Sequence, residues 1–373
     1  MSERKVRVGV IGAGGFAEQA HIPGIQAHPR GTVVALCARN RERVEALAQR
    51  MNVPDVHTDY HELLARDDIE AVTVCTPDAM HMPVALDALA AGKHVFCDKP
   101  LAMDAAEARR MTEAADQAGL INLVAFTFRY MRALPELRRL LREGAIGTPF
   151  HAALQVYWGG IIAPGQTLTW RDQAEHSAAG MWGDGGSHLF DALAYALGPA
   201  EEVCAQMMVV QRPAGVEQPD SVDIADAMAR LRLGQGFATG GPVAEGPVGY
   251  ADRAAGTVQV TLASSRVSRP RGPVHEFQVT GDGGALGIPL NRGQGEYLHI
   301  LRPGGANWEE LPLPDDATTD RPLALTRMMG AFVDAVLRGS PTEQDPTFAA
   351  GLHAQLAMEA GLRSARAGRW EKV

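Results

Sequence analysis

A glycine-rich loop begins at the twelfth residue of this chain and limits the folds open to it. Gly12-Ala13-Gly14-Gly15-Phe16-Ala17 follows a short apolar run, Val6–Ile11, and leads into a stretch with helical spacing, Phe16–Ala27. In such a loop the first glycine permits a tight turn and the second lets backbone approach a pyrophosphate. A small residue at position 17 keeps the helix close to the sheet, and the helix N-terminal amides face the phosphate charge. This beginning predicts a doubly wound sheet that binds a dinucleotide, with Gly12, Gly14, Gly15 and Phe16 at the cofactor. A merely structural glycine turn is the alternative.

The next hundred residues repeat the strand–helix alternation. Val33–Ala38, Ala71–Thr76, His94–Cys97 and Ile121–Phe126 are apolar runs, separated by helical spacing at Arg41–Arg50, His81–Ala91 and Asp104–Ala118. Strands that are apolar almost throughout, joined by helices of this length, predict a parallel sheet covered on both faces. After about residue 130 the pattern changes to successive strand-like runs: Phe150–Tyr157, Glu202–Gln211, Ile224–Leu233, Thr257–Ser265 and His275–Gly281. Helices are expected at Pro135–Glu143, His188–Leu197, Leu323–Leu337 and Thr347–Ala367. The fold class is therefore α/β: a parallel sheet over residues 1–126, then an α+β domain with a mostly antiparallel sheet over 127–373. The last helices are left free to pack back on the first domain. Gly234–Gly256 reads as a long glycine-rich loop.

Composition excludes several classes. The net charge of −9 gives no attraction to nucleic acid or an anionic membrane. No apolar run approaches the roughly 18 residues of a membrane helix, and the basic start reads as a first strand instead of a signal peptide. Cys37, Cys75, Cys97 and Cys204 form no CxxC pair, which suits buried thiols in a reducing, cytoplasmic setting.

The second apolar run ends Leu36-Cys37-Ala38-Arg39-Asn40, with Arg43 following. No carboxylate stands where one would grip a ribose 2′-hydroxyl, and Arg39 offers a guanidinium where a 2′-phosphate would sit. Ala38, Arg39 and Arg43 are thus expected at the cofactor, with NADP preferred and NAD possible. A solvated helix start is the other reading of the arginines.

Two further segments carry chemistry. Lys99-Pro100 follows the fourth apolar run, and Pro100 holds Lys99 out of the helical region. Spacing alone does not separate this lysine from a solvated one. In Gly180-Met181-Trp182-Gly183-Asp184-Gly185-Gly186-Ser187-His188, Ser187 reads as an N-cap that places His188 in the first turn of a helix, where imidazolium is disfavoured. The glycines let Asp184 and His188 be offered from a tight turn.

With these residues the sequence resembles the Gfo/Idh/MocA oxidoreductases, the glucose–fructose oxidoreductase and inositol dehydrogenase group. The resemblance spans nearly the whole chain. It includes the glycine loop, Cys75-Thr76-Pro77-Asp78 with His81, the AGKHVFCDKP block ending at Pro100, Phe128-Arg129-Tyr130, Glu143–Gly147, Trp170-Arg171, the DGGSHLFD block and Gly368-Arg369-Trp370. It implies an N-terminal Rossmann domain, a C-terminal domain whose sheet forms homodimers or homotetramers, and a Lys99–Pro100 bond open to the cis form. It carries over Lys99, Asp184 and His188 as the catalytic trio, and Thr76, Pro77, His81, Asp98, Trp170 and Arg171 as cofactor neighbours. Asp98 stands where the family usually has Glu, and Thr127 where it often has Asn.

The expected activity is hydride transfer between a nicotinamide and a secondary alcohol or carbonyl of a sugar, inositol or related polyol. His188 would be the general base, with Asp184 orienting it or binding substrate. Lys99 would stabilise the developing alkoxide or itself transfer the proton. Arg129, Tyr130 and Trp158 are candidate substrate contacts, and core packing competes for Tyr157, Trp158, Trp170 and Trp182. His21, His28, His151 and His176 read as structural or solvated. His57 and His61 lie in a loop or helix start, so no metal is assigned. The alternatives are a nicotinamide-dependent glycosidase with no net redox turnover and a non-catalytic nucleotide-binding regulator.

Overall fold

The structure is a computed structural model, and it describes residues 4–158, 168–212, 217–233, 237, 256–267, 275–289, 297–313 and 321–373. Most of the glycine-rich stretch 234–256 lies outside the described residues. The chain separates into two compact units. The first is Met1–Tyr130 with Gln173–Ala178 and Arg321–Gln355; the second is Met131–Asp172, Ala179–Asp320 and Leu356–Val373.

The first unit is built on β1 (Val6–Ile11), β2 (Gly31–Cys37), β3 (Asp55–His57), β4 (Ala71–Val74), β5 (His94–Cys97) and β6 (Asn122–Val124), in the order β3-β2-β1-β4-β5-β6. Every neighbouring pair is parallel. The strand order reverses between β1 and β4, the place where a doubly wound sheet opens to a ligand at its carboxyl ends. Among the helices are α1 (Ile22–Ala27), α2 (Arg41–Met51), α3 (Tyr60–Leu64), α4 (His81–Ala90) and α5 (Ala105–Ala118). Asn40, Asp59 and Asp104 cap α2, α3 and α5 through their side chains, and α2 and α5 end at left-handed Asn52 and Gly119.

Two expectations are corrected here. The segment carrying Lys99 follows the fifth strand, because the short, half-polar β3 carries no apolar run to reveal it. The helix after the glycine loop is also not uniform: Ala17–His21 is a π-turn, closed by the Ile22 N–H donating to the Ala17 carbonyl, before α1 begins.

The second unit contains α6 (Ala133–Arg142), α7 (Ser187–Ala196) and a nine-stranded sheet. Its strands are β7 (Pro149–Tyr157), β8 (Ala200–Met208), β9 (Ile224–Arg232), β10 (Thr257–Ser265), β11 (His275–Gly281), β12 (Gly284–Pro289), β13 (Leu298–Leu301), β14 (Glu309–Leu311) and β15 (Glu371–Lys372). The order is β14-β13-β12-β11-β7-β10-β9-β8-β15. Every pair is antiparallel except β7 with β10. On β9 the burial alternates, so one face is packed and the other is open.

Two long helices precede β15 in the chain, α8 (Arg321–Arg338) and α9 (Phe348–Ala367). Met328, Met329, Phe332 and Val333 of α8 join the core of the first unit with Val8, Val10, Ile25 and Phe96. Gly24 lets α8 come this close, since a Cβ there would stand 2.8 Å from the Met329 side chain. Among the described residues no helix is long and apolar enough to cross a membrane.

Candidate active site

In the first unit the glycine loop divides into a locked residue and an open one. Gly12 has φ +114°, and a Cβ there would overlap the Cys75 carbonyl oxygen and lie 2.7 Å from its carbon. Its N–H donates to the Cys37 carbonyl at 2.8 Å, so the loop is pinned to the ends of both β2 and β4. At Gly14 a Cβ would meet nothing within 4 Å, and at Gly15 only the tip of Gln19. Phe16 is half-buried. Such a loop leaves its middle approachable to a large group, as a pyrophosphate requires. Beside it, the Thr76 hydroxyl is buried without a hydrogen-bond partner among the described residues. Both observations fit a bound dinucleotide.

At the end of β2, Asn40 turns its side-chain oxygen onto the Arg43 N–H at 2.9 Å. Arg41 is engaged by Glu45 at 3.1 Å. Arg39 and Arg43 are exposed, and Ala38 is half-buried. Cys37 lies nearby, its thiol pushed up to about 11 by burial and then by the Asp59 and Glu62 carboxylates.

The turn after β5 is braced. The Lys99–Pro100 peptide is cis. His81 is fully buried; one ring nitrogen meets the Pro100 carbonyl at 2.9 Å and the other meets that of Thr76 at 3.1 Å. His81 thus ties together the turns beyond β4 and β5, with no ring nitrogen turned outward. Asp78, also buried, accepts the Ala178 N–H at 3.0 Å. Lys99 and Asp98 are half-buried. The thiols of Cys75 and Cys97 are pushed well above the ordinary range, chiefly by burial and then by the Asp98 carboxylate. Arg129 and Tyr130 are both buried, the Tyr130 hydroxyl donating to Asp345 at 3.0 Å and the Arg129 carbonyl accepting from Gln344 at 2.7 Å. Both residues brace the first unit.

In the second unit Asp184 and His188 do not sit on a capped helix start. Trp182–Gly186 is a π-turn running straight into α7. Ser187 has helical backbone and no capping bond, and its buried hydroxyl has no partner among the described residues. His188 therefore stands beyond the first turn of a longer helix, and the argument from the helix terminus does not apply to it. Trp182 fixes the turn: its indole N–H donates to the Met358 carbonyl at 2.9 Å and its ring meets Phe190 edge-on at 5.4 Å. A Cβ at Gly186 or Gly361 would stand 2.9 Å or 2.6 Å from that indole. His188 is buried and Asp184 half-buried.

Trp170 and Arg171 belong to a short turn, Trp170–Asp172, with the Arg171 guanidinium 4.3 Å from the Trp170 ring centre. A buried ionic network anchors this turn. Asp223 accepts Arg212 through both oxygens, at 2.9 and 2.8 Å, and Arg266 at 2.6 Å. Arg266 also pairs with Asp172 at 2.9 Å and donates to the Arg171 carbonyl at 3.3 Å. Nothing in the sequence marks this network, because its members are scattered over almost a hundred residues. Trp158 is half-buried. Among the described residues no cluster of His, Cys, Asp or Glu could hold a metal ion.

A glycine cradle at the switch point of a parallel sheet, with a lysine at the next strand end, defines a nucleotide-binding α/β protein with a second, sheet-bearing unit. Residues 6–126 match the oxidoreductase family's NAD-binding Rossmann fold, and residues 138–373 match its C-terminal alpha/beta domain. The chain belongs to this oxidoreductase family. It is 27% identical to an uncharacterized oxidoreductase of Synechocystis sp. over 98% of this chain and 95% of that one. It is 29% identical to a levoglucosan dehydrogenase of Pseudarthrobacter phenanthrenivorans over 76% of this chain and 73% of the relative. A solved levoglucosan dehydrogenase in complex with NADH and levoglucosan shares the fold, with a TM-score of 0.84 at 22% identity over 99% of this chain and 100% of that one.

Proposed function

We propose that this oxidoreductase transfers a hydride between NADP and a secondary alcohol or carbonyl of a sugar or related cyclic polyol. The observation that carries the reading is the glycine loop, locked at Gly12 and open at Gly14. Gly12, Gly14, Gly15 and Phe16 would hold the pyrophosphate, and Thr76, Pro77 and Asp98 the region toward the nicotinamide, with Trp170 and Arg171 serving the same cofactor. When bound, the nicotinamide supplies the hydride acceptor. His188 removes the hydroxyl proton, Asp184 orients His188 or the substrate, and Lys99 donates a hydrogen bond to the same oxygen as negative charge develops there. The sugar class is supported by the likeness to levoglucosan dehydrogenase.

NADP is favoured by Arg39 and Arg43, whose exposed side chains have no hydrogen bond or ion pair among the described residues. A second reading, NAD, draws on Asp59 and Glu62, close enough to the end of β2 to raise the Cys37 thiol, and on the NADH in the solved dehydrogenase. The open face of the nine-stranded sheet exposes Met208 and Met228, 58% and 44% accessible. In this reading that face meets a second copy, giving a homodimer or homotetramer. Four free thiols suit the cytoplasm.

Titration of NADPH and NADH by fluorescence, followed by incubation of NADP with levoglucosan, glucose and myo-inositol, tests the reading. Tighter NADPH binding with net NADPH formation is expected. Glycoside cleavage with no net NADPH would replace the reading with a glycosidase.

A further inference from the structure

His21 reads in the sequence as one more structural histidine, but its position is unusual. It closes the π-turn that directly follows the glycine loop, and it is fully buried. Its Nε2 lies 3.0 Å from Asp98 Oδ1, a carboxylate 77 positions away in the chain and adjacent to Lys99. Two rings fix its plane: Phe16 from the loop, edge-on at 5.4 Å, and Phe96 from β5, edge-on at 5.5 Å. Phe96 in turn rests on Phe332 of α8 at 5.4 Å.

The ring that meets Asp98 belongs to the last residue of the π-turn. A π-turn inserts one residue into the helical repeat, shifting every later side chain around the axis by about 100° relative to an uninterrupted α-helix. Such insertions cost stability and recur at functional sites. Asp98 meanwhile is held at its backbone, its N–H donating to the Val74 carbonyl at 2.9 Å. Its carboxylate is 17% exposed and lies near enough to Cys75 and Cys97 to raise both thiols. A carboxylate in such a place takes up a definite direction only if a donor fixes it, and His21 is that donor.

We propose that His21 is a positioning residue: through Asp98 it couples the nucleotide loop to the turn that presents Lys99. Movement of the loop around a nucleotide is then transmitted to the lysine through one rigid imidazole. The proposal rests on the reading of Lys99 as a catalytic group.

The test reads Lys99 directly and requires no substrate. Competitive acetylation with acetic anhydride, followed peptide by peptide by mass spectrometry, gives the reactivity of Lys99 relative to exposed Lys5. His21→Ala and Asp98→Asn are each expected to change that ratio by about threefold or more in the same direction, and the double variant to change it no further. His21→Gln, whose amide can still donate to Asp98, is expected to restore most of the wild-type ratio. A ratio that is unchanged in His21→Ala, or effects that add in the double variant, would overturn the proposal, leaving His21 as packing between two phenylalanines. If His21→Ala does not fold, Asp98→Asn and His21→Gln decide: no change in Asp98→Asn, or a His21→Gln ratio as altered as that of Asp98→Asn, overturns it. Failure of the functional reading looks different: Lys99→Ala would keep full sugar-dependent NADP reduction while the labelling coupling persisted.

Discussion

Gly12 stands so close to Cys75 that a single added carbon would overlap the cysteine's carbonyl oxygen, whereas two residues on, at Gly14, the same carbon would meet nothing within 4 Å. The two glycines are therefore expected to fail in different ways. Gly12→Ala combines a clash with backbone with φ +114°, and should cost about 3 kcal/mol or more of stability. Gly14→Ala should melt like the wild type yet bind NADPH about tenfold more weakly. Thermal melts paired with fluorescence titration separate the two. Undiminished affinity in Gly14→Ala would remove the loop from the nucleotide site.

Arg39 supplies a prediction about selectivity. If its guanidinium meets a 2′-phosphate, Arg39→Ala should weaken NADP binding by about 10- to 100-fold, the worth of a charge-assisted hydrogen bond to phosphate. Binding of NAD should change by less than about threefold, since NAD lacks that phosphate. Equal losses for both nucleotides would return Arg39 to the solvated surface.

His81 is expected to act on stability. Its ring serves the carbonyls of Thr76 and Pro100. His81→Ala removes the one N–H that a neutral imidazole can donate to these carbonyls and the packing between the two turns, at a cost of about 1–3 kcal/mol in urea unfolding. A variant as stable as the wild type would show that these carbonyls find other donors.

How far each feature is legible in the sequence depends on how local its cause is. Strands such as Val6–Ile11 and Thr257–Ser265 stand out because a half- or fully buried strand needs an apolar run or alternation in its own residues. Asp55–His57 does not stand out: it is three residues long, half-polar and follows Pro54, and its pairing with Ala35–Cys37 is a tertiary fact. Ser187 reads as a cap because serine ahead of a helical run usually caps it, whereas here a π-turn held by Trp182 and α9 continues the helix backwards. π-turns carry no residue signature of their own. The glycine loop and the segments carrying Lys99, Asp184 and His188 are local patterns that the sequence displays. The partnerships of His21 with Asp98 and Arg266 with Asp223 are not, because each joins residues far apart in the chain.

The buried network of the second unit predicts a pH dependence. Burial alone would raise the Asp223 carboxyl, but the bonds from Arg212, the Val210 N–H and Arg266 outweigh it and hold the group below its ordinary value. A depressed carboxylate contributes stability that is complete above its unfolded value, about 3.9, and is lost as pH falls through the folded value. The wild type should therefore lose stability on acidification below about pH 4 more steeply than Asp223→Asn. At neutral pH that variant, with two arginines left short of a charge, should be less stable by about 3–5 kcal/mol. Melting curves between pH 3 and pH 7 decide, and parallel curves for the two proteins would contradict the linkage.

The proposed hydride transfer to or from a polyol depends on both Lys99 and His188. Its most direct test is the rate of NADPH formation at 340 nm, measured for the wild type, Lys99→Ala and His188→Ala on the best polyol of the panel, with nucleotide affinity measured alongside. In each variant kcat is expected to fall by about a hundredfold or more while NADPH binds within about threefold of wild type. An undiminished kcat in both variants would contradict it.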